Sequence, residues 1–428
     1  MPQTPLLEAH KAIRLKAGFR WCRGVLSITH RDTVYLHDTL SGVFLKFLKV
    51  LALSDAPVIN EKAALEKLKA LSLITSLPEA EENSRYYSRL RGLQQKSDVL
   101  NYTVAPTLNC NCRCPYCFVH KNAISMSDSA ADILASHIRS EHIKTGKKVS
   151  ITWYGGEPLL SAGTIHRISR LLAGNEVPYS ADIITNGLLI NDDTLKILKD
   201  SRVTAGQITL DGYQYDHNKT RNIPTAPYDT YSAAITAASE LIAHGFQLKI
   251  RINCSSGNLS GVRNMATCPR LSTLDKSKFT IYFEVIDSDP QIHLQLRSLQ
   301  ELFSGAGYNV LSGLSWKSVL CYSCSAMRDS DCCVGPELEL YDCYSDLGHN
   351  NRVIGVLPQT PPVKSLYNHP GLLPAICKEC PALPFCYARG CPYKLAHSNY
   401  VHDEIFCAEL KARVHDSLLQ KLTDKYGH

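Results

Sequence analysis

Cys110, Cys114 and Cys117 fall on one short stretch, LNCNCRCPYCF, separated by three and then two residues. Four-iron four-sulfur clusters are held by cysteine thiolates, normally four of them. A compact set of three leaves one iron open to a substrate or cofactor, and an open metal position means chemistry. The same stretch permits a different chemistry, because Cys112 would complete the four ligands that a structural zinc ion takes.

Residues this reactive need a scaffold, and the sequence after about residue 99 supplies one. Six strand-like segments alternate with helix-like ones up to about residue 307: 100–108, 149–154, 181–185, 206–211, 247–254 and 279–285. Such alternation predicts a parallel sheet with crossover helices. Ile165, Ile168, Leu171 and Leu172 recur at helical spacing, as do Ile235, Ala238, Leu241 and Ile242, with Gly245 as a stop. The strands are not continuously apolar, as strands covered on both faces would be. Leu248, Ile250, Ile252 and Cys254 alternate with Lys249, Arg251 and Asn253. Val149, Ile151 and Trp153 alternate with Ser150, Thr152 and Tyr154, and the other strands follow suit. Successive side chains point to opposite faces, so the apolar set meets the helices and the polar set faces a wet interior. The fold class expected is α/β, an open, partial (β/α)6 barrel with its chemistry at the C-terminal strand ends. The Cys110 turn follows the first strand, where such a fold puts its site.

The second strand runs into Trp153-Tyr154-Gly155-Gly156-Glu157-Pro158. Glycines allow close backbone approach, and a carboxylate accepts hydrogen bonds from an ammonium group. Together, the cysteine spacing, Tyr116 before the last cysteine and this GGEP stretch resemble the radical S-adenosylmethionine enzyme superfamily. The resemblance implies that Cys110, Cys114 and Cys117 hold a cluster whose open iron chelates S-adenosylmethionine, which is cleaved to a 5'-deoxyadenosyl radical. It further implies that Tyr116, Gly155, Gly156 and Glu157 line the cofactor, with Glu157 on its amino group. Thr209 and Arg221, in and after Thr209-Leu210-Asp211-Gly212, carry over by position to the cofactor's carboxylate and ribose region. Asp211, Tyr282 and Glu284 lie on the expected polar interior and are the candidates for proton transfer.

Composition sets outer limits. At 428 residues the chain is long enough for two or three domains. The opening MPQTPLLEAHK lacks a secretory pattern, and Val43 to Leu53 is too short and too charged to span a bilayer. Seventeen cysteines in such a chain point to metal binding in a reducing cytoplasm rather than disulfides. A formal charge of +6 without basic runs gives no sign of nucleic-acid binding.

Beyond residue 310 cysteines crowd together, and their spacing resembles the SPASM domain of peptide-modifying radical enzymes. The resemblance implies one auxiliary four-iron cluster on Cys324, Cys343 and Cys391, completed by Cys321, with Cys332 and Cys333 as rivals for that place. It implies a second on Cys377, Cys380, Cys386 and Cys407, and so three four-iron clusters in all. A zinc ribbon is the alternative for the Cys377 to Cys391 block, since zinc accepts the same thiolates. Two departures stand out: Leu338 where the family usually has glycine, and four residues rather than three between Cys386 and Cys391. Cys22, Cys112, Cys254 and Cys268 read as unligated, Cys254 as a small hydrophobe on the apolar strand face.

The front of the chain, with two short strands around Arg31-Asp32 and a helix carrying Ala64, Leu65, Leu68 and Leu71, resembles winged-helix peptide-recognition elements that bind a leader by strand addition. A packing extension of the barrel is the plainer alternative. Residues 78–98 read as a polar linker. The domains expected are 1–95 with that linker, 96–310 as the barrel and 311–428 as the cysteine-rich domain.

Three functions compete. The first is oxidative maturation of a ribosomally made precursor peptide by hydrogen abstraction and intramolecular crosslinking, with an external donor such as flavodoxin or ferredoxin supplying electrons. The second is anaerobic maturation of sulfatases to formylglycine, but that family has Asp after the second SPASM cysteine, and here Tyr344 follows Cys343. The third is a non-catalytic metal-binding scaffold.

Overall fold

The computed structural model describes residues 7–8, 14–15, 20–30, 33–49, 58–59, 62–223, 228–286, 291–311, 324–359, 370–380, 382–386, 391–397 and 404–426. Cys321 and the Arg31-Asp32 turn lie outside them. Two compact units are present: residues 1–96 with 316–328 and 365–428, and residues 97–315 with 329–364. Among the described residues no helix is long and apolar enough to cross a membrane.

The second unit is built on six strands, β1 Val99–Thr107, β2 Lys148–Gly155, β3 Tyr179–Thr185, β4 Val203–Leu210, β5 Gln247–Cys254 and β6 Phe279–Val285. They lie side by side in chain order and all run parallel. Helices α1 Asp128–Thr145, α2 Ala162–Gly174, α3 Asp192–Asp200, α4 Gln214–Thr220, α5 Thr230–Ala243 and α6 Leu259–Met265 fill the crossovers, and α7 Gln291–Gly305 follows β6. The barrel is open, as expected: beyond β1 the sheet continues into Asp331–Val334, parallel to it, and then two antiparallel strands, Glu339–Tyr341 and Gly355–Val356.

The alternation read in the sequence is the alternation of burial. Val149, Ile151 and Trp153 of β2 and Leu248, Ile250 and Ile252 of β5 are buried in one apolar cluster with Ile165, Ile168, Leu172, Ala238 and Leu241 of the helices. Thr152, Tyr154 and Arg251 on the other face are half-buried. Polar pairs line that face, such as Tyr282 Oη donating to Gln207 Oε1 at 2.7 Å. Gly245 ends the turn after α5 at φ +85°, with Phe246 N donating back to Leu241 O at 3.0 Å, since glycine carries no steric penalty in the left-handed region.

Leu338 explains why glycine is usual at its position. It sits at φ +68° in the turn joining Asp331–Val334 to Glu339–Tyr341, closed by Leu338 N to Gly335 O at 3.1 Å. A left-handed leucine is strained by about 1–2 kcal/mol. Burial of its side chain in the barrel's apolar cluster offsets that strain.

The first unit carries a four-stranded antiparallel sheet ordered Leu7–Glu8, Val25–His30, Thr33–Asp38, Phe44–Lys49. The helix Lys62–Ala70 buries Leu65 and Leu68 in a cluster with Trp21, Val25, Leu36 and Ile74. One sequence expectation is corrected here. Residues 78–98 are no linker, because Glu79–Gln94 is a 16-residue helix that buries Tyr86 and Leu90. Glu79, Glu81 and Glu82 in its first turn complement the helix dipole, and its apolar stripe, Tyr86, Leu90 and Leu93, is narrow enough to hide in a polar sequence.

Candidate functional site

The Cys110 loop leaves the end of β1 and is pinned by hydroxyls and main chain. Leu108 N donates to Ile124 O at 3.0 Å, Thr107 Oγ1 to the same oxygen at 2.9 Å, and Asn109 N to Thr107 Oγ1 at 3.0 Å. The end of β2 closes on this loop. Gly156 N donates to Thr107 O at 3.0 Å and Glu157 N to Asn109 O at 2.8 Å. A Cβ on Gly156 would lie 2.0 Å from Asn109 O, and one on Gly155, at φ +108°, 2.5 Å from Thr107 O. The glycine pair therefore brings the main chain of the GGEP turn against that of the cysteine loop.

Glu157 is buried, and its carboxylate accepts from Thr185 Oγ1 at 2.7 Å and Leu159 N at 3.2 Å on one oxygen and from Asn186 N at 2.8 Å on the other. Burial pushes its pKa up, to about 7, against these three donors. A cation placed beside it would favour the charged form, which suits an ammonium ligand.

Across the strand ends, Asp211 gathers the other side of the site. Arg221 Nε donates to Asp211 Oδ2 at 2.6 Å and its Nη2 to Tyr116 Oη at 2.9 Å, while Tyr116 Oη donates to Asp211 Oδ1 at 2.8 Å. Asn253 Nδ2 adds a bond to Oδ1 at 2.7 Å. Burial opposes the Asp211 charge, but Arg221, His217 and these hydrogen bonds hold its pKa below the usual carboxylate value. Its oxygens are thus occupied in orienting Tyr116 and Arg221. Arg221 Nη1 makes no hydrogen bond among the described residues. Thr209 is buried on β4, beside Arg251 of β5.

Of the remaining interior residues, Tyr282 has its hydroxyl on Gln207, and Glu284 acts electrostatically on Arg251. Burial opposes the Arg251 charge, while Glu284, Tyr282, Tyr344 and Tyr154 raise its pKa above the usual value. The loop at Cys343 reaches the same region: Tyr344 packs with ring centroids 5.7 Å from Phe118 and 5.5 Å from Tyr154, and Tyr154 feels the thiols of both Cys117 and Cys343.

The thiols of the Cys110 loop interact with one another. A hydrogen bond with Cys112 pulls Cys110 down, against burial, and the same bond with burial pushes Cys112 up. Burial raises Cys114, with Arg221 and Lys121 opposing. Cys117 is exposed. Three thiols on one pinned loop, beside two cations and a buried carboxylate, fit the donor chemistry of an iron–sulfur site with a charged cofactor. Among the described residues no three His, Cys, Asp or Glu side chains form a closed metal-binding group.

The other cysteines are placed as follows. In the first unit, Cys324 and Cys377 pack in one apolar cluster with Met327 and Leu383. Cys380 follows Cys377 in a turn, Cys386 ends the short helix Leu383–Cys386, Cys391 precedes the helix Pro392–His397 and Cys407 lies on the helix Glu404–Tyr426. In the barrel unit, Cys332 and Cys333 are both buried on Asp331–Val334, in different apolar clusters. Cys254 is fully buried in the barrel core, as expected of a small hydrophobe.

Asn186 and Asn258 complete the site and were not singled out in the sequence, while Arg251 and Asn253 were read on the polar face of β5 without a role at the site. A lone amide carries no pattern. The one available signal is Thr185-Asn186-Gly187 at the end of β3, with Gly187 at φ +83°.

Residues 104–252, which span β1 to β5 and every element just described from the cysteine loop to Arg251, match the family model of the radical SAM superfamily. The chain carries a radical SAM domain. No curated protein sequence matches it. Among solved structures the fold is similar to native anSMEcpe with bound AdoMet and a Kp18Cys peptide, at TM-score 0.58 and 16% identity over 76% of this chain and 99% of that one. The same protein with AdoMet and a Cp18Cys peptide gives 0.57 and 17% over 77% and 99%. Streptococcus suis SuiB bound to precursor peptide SuiA gives 0.49 and 14% over 87% and 95%. At these identities the anSMEcpe likeness establishes a shared fold around the radical SAM domain.

Proposed function

We propose that this protein is a radical S-adenosylmethionine enzyme of the reducing cytoplasm that oxidatively crosslinks a ribosomally made precursor peptide. S-adenosylmethionine at a four-iron cluster on Cys110, Cys114 and Cys117 supplies a radical able to take a hydrogen atom from carbon. Glu157 binds the ammonium group of the cofactor, and Arg221 offers Nη1 towards its carboxylate, with Tyr116 and Asp211 holding the guanidinium. The half-buried polar interior, with Arg251, Tyr282 and Glu284, receives the peptide. Each crosslink removes two hydrogens, one as an atom and the other as a proton and an electron. Cys321, Cys324, Cys343 and Cys391 would hold one auxiliary cluster and Cys377, Cys380, Cys386 and Cys407 a second, and such a cluster would supply an acceptor for that electron. Flavodoxin or ferredoxin delivers the starting electron.

The observation that carries the choice of product is the position after Cys343. Sulfatase-maturing relatives place a carboxylate there. Here Tyr344 fills it and packs against Phe118 and Tyr154, while the nearby Asp346 is buried and ion-paired with Arg352 at 2.9 Å. The solved anSMEcpe complexes, which hold AdoMet and a peptide together, support a peptide as the substrate of this shared fold.

Anaerobic co-expression with short peptides encoded beside the gene, followed by high-resolution mass spectrometry, tests the reading. Loss of paired hydrogens is expected. Conversion of a sulfatase-motif peptide to its aldehyde, with no change in the neighbouring peptides, would overturn it.

A further inference from the structure

Arg251 places a permanent positive charge in the polar interior of the barrel. It is the register partner of Thr209 on β4 and of Tyr282 on β6, so the three side chains form one row across the inner face. The packing of β5 against the helices is supplied by Leu248, Ile250, Ile252 and Cys254 on the other face, so the charge serves the interior. Arg251 is half-buried, and among the described residues it makes no ion pair; Glu284, at the next inward position of β6, acts on its charge from a distance. Half-burying a cation without a fixed counter-ion costs free energy that a carboxylate would offset. Nε is committed to Asn253 Oδ1 at 2.8 Å, and the paired Nη1 and Nη2 are the groups that could meet a carboxylate bidentately. Asn253 Nδ2 in turn donates to Asp211 Oδ1 at 2.7 Å, and Asp211 Oδ2 holds Arg221 Nε at 2.6 Å. A single amide thus separates Arg251 from the carboxylate that organises the cofactor side of the site.

We propose that Arg251 is a specificity-determining residue that binds a carboxylate of the peptide close to the residue being modified. The carboxylate is either an Asp or Glu side chain or the C-terminal group. A carboxylate accepts two parallel hydrogen bonds from a guanidinium, whereas an amide of the same shape offers one acceptor and turns a donor towards a donor. Thr209 adds a hydroxyl and Tyr282 a ring to the same row, and Tyr282 Oη is itself fixed on Gln207 Oε1 at 2.7 Å. The proposal rests on the reading above that the barrel interior receives a peptide, and it adds that this peptide is acidic at the site of reaction.

The test is calorimetric binding to the full-length, anaerobically reconstituted protein, with and without S-adenosylmethionine. The probes are three tripeptides: acetyl-Ala-Asp-Ala-amide, acetyl-Ala-Asn-Ala-amide, and acetyl-Ala-Ala-Ala with a free C-terminal carboxylate. One of the two carboxylate peptides is expected to bind wild-type protein at least about tenfold more tightly than the Asn peptide. Which one does so separates a side-chain carboxylate from a terminal one. Arg251→Gln, which keeps a donor for Asn253 but carries no charge, is expected to abolish the preference, and Arg251→Lys to keep part of it. Equal affinity for the carboxylate and amide peptides in wild-type protein would overturn the proposal without recourse to any variant, as would a preference undiminished in folded Arg251→Gln. Weakened S-adenosylmethionine binding in Arg251→Gln, with the peptide preference intact, would assign the guanidinium to the cofactor and overturn it too. These affinities do not depend on turnover. A carboxylate preference with no mass change in any co-expressed peptide would keep the site and remove the crosslinking function, and crosslinking without the preference would do the reverse.

Discussion

Arg221 Nε lies 2.6 Å from Asp211 Oδ2, a pairing of two side chains that are 11% and 1% exposed at the mouth of the barrel. The pair joins the loop after β4 to the cysteine loop, because Tyr116 bonds to both partners. A buried guanidinium left without its carboxylate costs far more than the pair contributes as a whole.

Asp211→Ala is therefore expected to lower unfolding stability by about 3 kcal/mol, measured by denaturant titration. It is also expected to weaken S-adenosylmethionine binding, because Arg221 and Tyr116 lose their orientation. Unchanged stability and affinity would mean that Arg221 finds another partner.

Gly156→Ala puts a methyl group 2.0 Å from Asn109 O, a main-chain atom that cannot swing aside. Overpacking of this kind costs about 1–3 kcal/mol. The variant should lose iron on reconstitution relative to wild type, since the displaced main chain is that of the cysteine loop. Wild-type iron content would contradict the close approach.

His217 gives a dependence on pH. Its Nδ1 accepts from Asp211 N at 3.2 Å, and burial first, then Arg221, lowers its pKa from 6.5 to about 3. The unfolded chain takes up this proton before the folded one does, so the stability contribution is complete above the unfolded pKa and is lost as pH falls towards the folded one. Between about pH 6.5 and about pH 5 the loss is about 2 kcal/mol. His217→Asn, which keeps an acceptor and does not titrate, should flatten that part of the stability profile. An equally steep profile in the variant would assign the slope to other groups.

Leu338→Gly separates backbone strain from burial. Glycine relieves the left-handed conformation, worth about 1–2 kcal/mol, but forfeits a buried leucine, worth about 2–3 kcal/mol. A net destabilisation of about 1 kcal/mol is expected by denaturant titration. A stabilised variant would show that the side chain contributes little to the cluster.

Much of this was legible in the sequence because it rests on period. Gln247–Cys254 and Phe279–Val285 are strands with the bounds that their alternation predicts, and the other four start or end within a few residues of them. The GGEP glycines were read as letting the main chain approach a ligand, and the structure shows them pressed against the backbone of the cysteine loop. What escaped lacks periodicity. Asn186 and Asn258 act through single amides whose partners lie as far as 75 residues away. The helix Glu79–Gln94 escaped because only a thin stripe of it is apolar.

The most direct test of the account is formation of 5'-deoxyadenosine by the reconstituted, anaerobic protein supplied with reductant and S-adenosylmethionine. The account predicts that wild-type protein forms it and that Cys114→Ala, folded to the same extent, does not. Formation that continues undiminished in Cys114→Ala would contradict the assignment of this loop as the seat of the chemistry.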